Sequence, residues 1–140
     1  MTNDRLLYQT NSFPSILAML YLVFNTLQTI FTLNTIDVSA AGIRIMEIIL
    51  LNIVLSFLVF IISSGIKCYS IRWSWAGLCI GVFQCARVFF IPITDFRAAM
   101  FIAVPLILAG FILILASILS LDKCRKYRHA KEEMQCHTSA

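Results

Sequence analysis

The sequence predicts an all-α integral membrane protein, folded as a single antiparallel bundle of four transmembrane helices. Hydrophobic residues make up 60% of the chain and charged residues 13%, against about 45–50% and about 25% in soluble domains. The apolar residues concentrate in four stretches, at 14–36, 43–63, 73–91 and 100–121. At ~1.5 Å per residue, each approaches or exceeds the ~30 Å hydrocarbon core of a bilayer. None of the four has the charged outer face of a helix in a soluble bundle.

These stretches define one transmembrane domain, residues 1–121, with helices expected at about 14–36, 41–63, 72–91 and 99–121. Residues 122–140 are predicted to form a basic cytoplasmic tail that is partly helical and then disordered. The first stretch is longer than the hydrophobic region of a signal peptide and lacks a small-residue cleavage pattern, so we expect it to be retained as a helix.

Basic residues are distributed unevenly along the chain. Eight of the eleven fall on the side that the two termini share if all four stretches span. Because basic residues favour the cytoplasmic side, the protein is predicted to be a multi-pass protein of the cell membrane with both termini cytoplasmic. The basic tail could contact anionic lipid. Because the cytoplasmic location alone accounts for its positive charge, the charge does not imply binding to nucleic acid. The eight residues are Arg5, Lys67, Arg72, Lys123, Arg125, Lys126, Arg128 and Lys131.

The five cysteines predict neither a disulfide framework nor a metal site. Three of them fall on the reducing cytoplasmic side and two lie within the third helix, where structural disulfides are not expected. A group of thiols and imidazoles in the tail has zinc-ligand chemistry but matches no familiar finger or knuckle spacing. We therefore expect no metal and no cofactor. The members of that group are Cys124, His129, Cys136 and His137.

Helix one carries a stripe of polar side chains that lipid would not solvate. Its residues recur at helical spacing and span an arc of ~120°. Such a face is expected to turn toward protein or a wet cavity, since unpartnered polar groups are costly in hydrocarbon. Two interpretations are open, namely hydrogen bonding between helices and the lining of a substrate path. The stripe consists of Asn25, Gln28, Thr29, Thr32 and Thr35, and the candidate lining of Asn25, Gln28, Thr32 and Gln84.

Small residues predict close packing by helices three and four. In helix three, Gly77 and Gly81 lie four positions apart on one face. Helix four repeats the pattern with Ala103, Gly110 and Ser117. Because small side chains let two backbones approach each other, both sets are predicted to be packing seams.

Glu47 and Arg87 are predicted to form a structural ion pair below the outer membrane surface. Glu47 lies a few residues into helix two, and Arg87 lies about as far from the outer end of helix three. Antiparallel neighbours place them at similar depth, where pairing lowers the cost of both charges. Two alternatives are open: Glu47 pairs with Arg44 while Arg87 extends to the surface, or Arg87 and Gln84 bind an anion from outside.

The sequence has no residue set arranged for nucleophilic catalysis and no glycine-rich phosphate loop, so we expect that the protein is not an enzyme. The first hypothesis is a non-enzymatic accessory subunit that packs against a larger membrane transporter or another membrane complex. It rests on the presence of three packing faces, more than one small bundle needs. The alternative is a small homo-oligomeric transporter or channel with a polar lining from helices one and three. A pore-forming protein of the holin type has support only from size, helix count and the basic tail.

Overall fold

A computed structural model describes residues 11–35, 42–90 and 96–138, and every regular element within them is helical. Helix α1 spans Ser12–Thr35, α2 spans Gly42–Lys67 and α3 spans Ile71–Ala86. A 3₁₀ turn, Arg87–Phe90, continues α3, and α4 spans Phe96–Thr138. Four helical segments in these residues are long and apolar enough to cross a membrane, as the sequence predicts. They are Ser12–Asn34, Met46–Lys67, Ile71–Phe90 and Ala99–Glu132.

The helix boundaries differ from the prediction mainly at the C-terminal ends of α2, α3 and α4. Helix α2 passes residue 63 and ends at Lys67, and α4 passes residue 121 and ends at Thr138. The tail that we expected to be only partly helical is therefore helical throughout its described length. Helix α3 gives way to a 3₁₀ turn at Arg87, a tightening common at helix ends. The predicted helix limits at 36, 41 and 91, and tail residues 139–140, lie outside the described residues.

The four helices pack on a common hydrophobic core. Helix α4 makes its largest contacts with α3 and α1, α1 also packs along α2, and α2 and α3 contact each other less. Ala76 and Ile80 of α3 pack against a buried set from the other three helices. This aliphatic core fixes the centre of the molecule and leaves polar side chains to join the helices nearer their ends. The buried set is Ala18, Tyr21, Val59, Ile62, Ile66, Ala109, Leu113 and Ala116.

Small residues bring α3 and α4 into backbone contact. A Cβ atom added to Gly81 would lie 3.0 Å from the Gly110 carbonyl oxygen, and one added to Gly110 would lie 2.9 Å from the Gly81 oxygen. A Cβ atom on Gly77 would lie 2.5 Å from the Ser117 hydroxyl. Ala103, in the same predicted seam, is half-buried. The glycines thus serve the contact between α3 and α4 within the chain.

Large apolar side chains cover the outer surface. On α2, Leu50 and Phe57 are each 65% exposed, and on α4 Phe101 and Phe111 are 63% and 61% exposed. In water, an apolar surface of this extent would promote association. In a bilayer the same surface is matched by the hydrocarbon around it. The exterior of the helices therefore suits a membrane.

Candidate functional site

Two groups of polar side chains lie on opposite sides of the aliphatic core. The first, which we term the amide cluster, joins α1, α2 and the end of α3. The second, the serine cluster, lies where α1 and α3 begin and α2 ends. The amide cluster consists of Asn25, Gln28, Thr29, Thr32, Asn52, Ser56, Gln84 and Arg87. The serine cluster consists of Asn11, Ser15, Ser63, Ser74 and Ser120.

Asn52 is the centre of the amide cluster. Its side-chain nitrogen donates to Gln28 Oε1 at 3.2 Å and to Thr29 Oγ1 at 2.9 Å. Its Oδ1 accepts from Arg87 Nη1 at 2.9 Å, and its backbone carbonyl accepts from Asn25 Nδ2 at 3.2 Å. The residue is 3% exposed. Its amide therefore has its donors and acceptor engaged by α1 and by the 3₁₀ turn after α3.

Gln84 closes the network into a ring. Arg87 Nη1 donates to Gln84 Oε1 at 3.1 Å, and Gln84 Nε2 donates to Asn25 Oδ1 at 3.1 Å. The ring is completed by the bond from Asn25 Nδ2 to the backbone carbonyl of Asn52. Asn25 and Gln84 are 1% and 0% exposed. Because each amide uses both its oxygen and its nitrogen, the neighbours fix which way each amide group points.

The polar stripe on α1 supplies the remaining members of this cluster. Asn25 Nδ2 donates to Ser56 Oγ at 2.9 Å, and Gln28 Nε2 donates to Thr32 Oγ1 at 3.0 Å. Thr32 and Thr29 also donate to backbone carbonyls one turn earlier, at 2.8 Å each. The candidate lining residues thus bond to one another or to α2 and α3. Thr35, the last residue of the stripe, has its side chain outside the described residues.

The structure does not bring Glu47 and Arg87 together as an ion pair. The Arg87 guanidinium donates to two neutral amides, and Glu47 is exposed. Among the described side chains, no carboxylate lies within 4.0 Å of Arg87. The prediction placed the two residues level with each other, but Arg87 bonds instead to Asn52, which follows Glu47 by about 7.5 Å along α2 and by a rotation of about 140° around it. Arg44, the alternative partner of Glu47, has its side chain outside the described residues.

The serine cluster joins all four helices through short side chains. The hydroxyls of Ser15 and Ser63 lie 2.9 Å apart, and each also donates to the other residue's backbone carbonyl, at 3.2 and 3.0 Å. The hydroxyls of Ser74 and Ser120 lie 2.7 Å apart. Asn11 donates to Ser120 Oγ at 3.1 Å, while its Oδ1 has no hydrogen-bond partner among the described residues. The cluster is neutral, and each contact spans a short distance between backbones.

Sequence reasoning did not include Asn52, Ser56 or the serine cluster among the site residues. The signal for the first two was present, because Asn52 and Ser56 lie one turn apart on an otherwise apolar helix. Within the part of the chain that the structure describes, no three His, Cys, Asp or Glu side chains come close enough to hold a metal ion. The two polar clusters that the described residues form are hydrogen-bonded connections between helices.

Comparisons of the chain with protein-family models, with curated proteins and with solved structures find no match. Its function is therefore inferred from its own contacts, exposure and charge.

Proposed function

We propose that the protein is a non-enzymatic multi-pass membrane subunit that associates with a larger membrane transporter or another membrane complex. Its four helices cross the membrane in antiparallel order, and both termini face the cytoplasm. The placement of eight of the eleven basic residues supports this orientation. The hydrogen bonds of the serine cluster, which join the start of α1 to the end of α2, support the antiparallel order.

One observation carries the proposal: the polar side chains of the amide cluster are buried or half-buried and are bonded to one another. Asn25, Gln28 and Gln84 are at most 3% exposed. A channel or transporter needs polar groups that face an open path, whereas these groups already have partners. The helices then present an apolar exterior, which is compatible with lipid and with the helices of another membrane protein.

The surface offered to a partner differs from the one that the sequence suggested. All three predicted packing faces make contacts within the chain, because the α1 stripe meets α2 and α3 and the small-residue faces of α3 and α4 meet each other. What remains for a partner is the large apolar side chains of the exterior and the end of α4 beyond residue 121. The named exterior side chains are exposed, and most described residues of α4 between 122 and 132 are exposed as well.

The first test is to purify the full-length protein with a C-terminal tag in a mild detergent and to measure the native mass of the complex. We expect an assembly that contains at least one different chain. A monomer alone, or a homo-oligomer alone, would contradict the proposal. In the second case the homo-oligomeric transporter or channel would replace it.

Site-specific photocrosslinking adds a matched control. A photoreactive residue at Phe57 of α2 or at Phe111 of α4 samples the exterior, where the native rings are 65% and 61% exposed. The same residue at Val59, two positions from Phe57 and 0% exposed, samples the core. We expect an adduct with a different chain from an exterior position and only internal adducts from Val59. Adducts with a second copy of this chain alone would count against the accessory-subunit proposal.

A further inference from the structure

A cavity of about 480 Å³ lies where the connection between α2 and α3 meets α4. Tyr69 and Arg72 line it from the connection and the first turn of α3. Residues of α4 that lie one turn apart, Cys124, Arg128 and Lys131 among them, line the other side. The cavity borders the serine cluster, since Cys124 Sγ lies 3.9 Å from Ser120 Oγ.

Three positive charges converge on this cavity. Arg72, Arg128 and Lys131 line it, and all three are exposed. No described acidic side chain pairs with any of them, and the two described acids of this part of α4, Asp122 and Glu132, lie next to Lys126 and His129. Like charges held close together repel each other, so an anion bound between them would be favoured.

A pair of stacked rings forms one wall of the cavity. The Tyr69 and Tyr127 ring centroids lie 4.8 Å apart with 14° between their planes. Tyr69 has a φ of 55°, a left-handed conformation that costs energy for residues other than glycine. It ends α2 in a Schellman motif, in which its N–H donates to the Ile66 carbonyl and the Ser70 N–H donates to the Gly65 carbonyl. A tyrosine thus occupies the usual glycine position, and its ring stacks on α4.

We propose that this cavity binds the phosphate group of an anionic phospholipid. Arginine presents a planar set of donors that fits phosphate oxygens, and lysine adds a point charge. The cavity lies beside the short connection between the candidate spans that end at Lys67 and begin at Ile71. In the proposed orientation this is the level of the cytoplasmic headgroups, where anionic lipids are enriched.

The tyrosine wall is compatible with this ligand. Burial raises the pKa of Tyr69 above that of a free phenol, and Cys124 and Tyr127 raise it further. The phenol therefore stays neutral at physiological pH and does not add a negative charge to the cavity. Free phosphate ion has the same chemistry as the headgroup, so an experiment must separate the two sources.

Native mass spectrometry of the full-length protein provides that experiment. The protein is titrated with phosphatidic acid, with phosphatidylcholine as the neutral lipid of similar size, and with inorganic phosphate as a competitor. We expect retention of phosphatidic acid over phosphatidylcholine, without displacement by phosphate. Displacement of phosphatidic acid by inorganic phosphate would show that the cavity binds the soluble ion, and it would overturn the proposal of a lipid ligand. Equal retention of the two lipids would overturn the proposal.

Two lysines of α4 provide a matched pair. Lys131→Gln removes a charge that lines the cavity and is expected to weaken phosphatidic acid binding about fivefold. Lys126→Gln removes the same charge from a position about 140° away around α4, outside the cavity lining, and is expected to leave binding unchanged. Equal weakening by both variants would show a diffuse basic surface and overturn the site.

A third variant separates binding from folding. Tyr69→Gly suits the left-handed backbone, so we expect it to fold with little loss of thermal stability. Because the ring wall is gone, phosphatidic acid retention should still fall. Unchanged retention in both Tyr69→Gly and Lys131→Gln would contradict a binding role for the cavity.

Discussion

The amide cluster and the serine cluster both connect α1, α2 and α3, and the serine cluster also reaches α4, but the two use different chemistry. The amide cluster uses long side chains and one guanidinium, and each amide is bonded at both ends. The serine cluster uses hydroxyls that stay close to the backbone, and Ser74 Oγ can also donate to the carbonyl of Ser70 at 3.3 Å. Ser74 is neutral and therefore keeps a local acceptor if it loses Ser120. Arg87 keeps Gln84 if it loses Asn52, but because it is charged and half-buried, each hydrogen bond that it loses costs more. The two clusters should differ in how much stability a single substitution removes.

The largest effect is expected from Asn52→Leu. The substitution removes one of the two acceptors of Arg87 and the donor to Gln28 and Thr29, and it leaves the buried Gln28 Oε1 without its hydrogen-bond donor. We expect a loss on the order of 3 kcal/mol in the free energy of unfolding, measured by denaturation in mixed micelles. Ser56→Ala, one turn away and bonded only to Asn25 through its side chain, is the control with a smaller loss. Equal losses would contradict the central position of Asn52.

A smaller effect is expected from Arg87→Met. The change removes two hydrogen bonds, but it also removes the cost of holding a charge among apolar helices. We expect a loss of about 1 kcal/mol in the same measurement. In the Asn52→Leu background, Arg87→Met should recover part of the lost stability, because it removes a half-buried charge that has lost one of its two acceptors. Simple additivity of the two losses would show that the residues are not coupled.

Ser63→Ala tests the serine cluster and should cost less than about 1 kcal/mol, within the range of hydrogen bonds between membrane helices. The Ser15 hydroxyl would keep its bond to the Ser63 carbonyl, which lies at 3.2 Å and does not depend on the side chain. The variant is compared with Asn52→Leu by the same denaturation. A loss as large as that of Asn52→Leu would remove the distinction between the two clusters.

The smallest effect is expected from Glu47→Gln. Glu47 is exposed and does not contact Arg87, so the change in the free energy of unfolding should stay within about 0.5 kcal/mol. Thermal stability in detergent is a sufficient measurement. A clear fall in the midpoint temperature that disappears when Glu47→Gln is made in the Arg87→Met background would support the ion pair that the sequence suggested.

The sequence predicted the polar face of α1 better than the partners of that face. Asn25, Gln28 and Thr32 lie on one side of an otherwise apolar helix, so their spacing alone defines a direction. Helix α2 is largely apolar, and although Asn52 and Ser56 mark one side of it, they do not show which neighbouring helix that side faces. Counting residues from the membrane surface paired Glu47 with Arg87, whereas Arg87 bonds to Asn52, about 7.5 Å further along α2 and about 140° around it. The rotation that brings Asn52 there instead depends on packing across three helices.

The serine cluster was beyond sequence reasoning for a related reason. Ser15, Ser63 and Ser74 are isolated small residues, each of which serves equally well as a cap, a spacer or a surface residue. Only their meeting at one end of the core gives them a shared role. The α3–α4 seam was easier, because the spacing of Gly77 and Gly81 places both on one face.

Helix α4 is one continuous element of 43 residues, from Phe96 to Thr138. At ~1.5 Å per residue it is about 65 Å long, roughly twice the thickness of a bilayer's hydrocarbon core. Its final part continues as helix for some 25 Å beyond Leu121, where the apolar stretch ends. In the proposed orientation, a partner bound at its C-terminal end would be held at a fixed distance from the membrane, and a force that tilts that end would act on the backbone contact at Gly110.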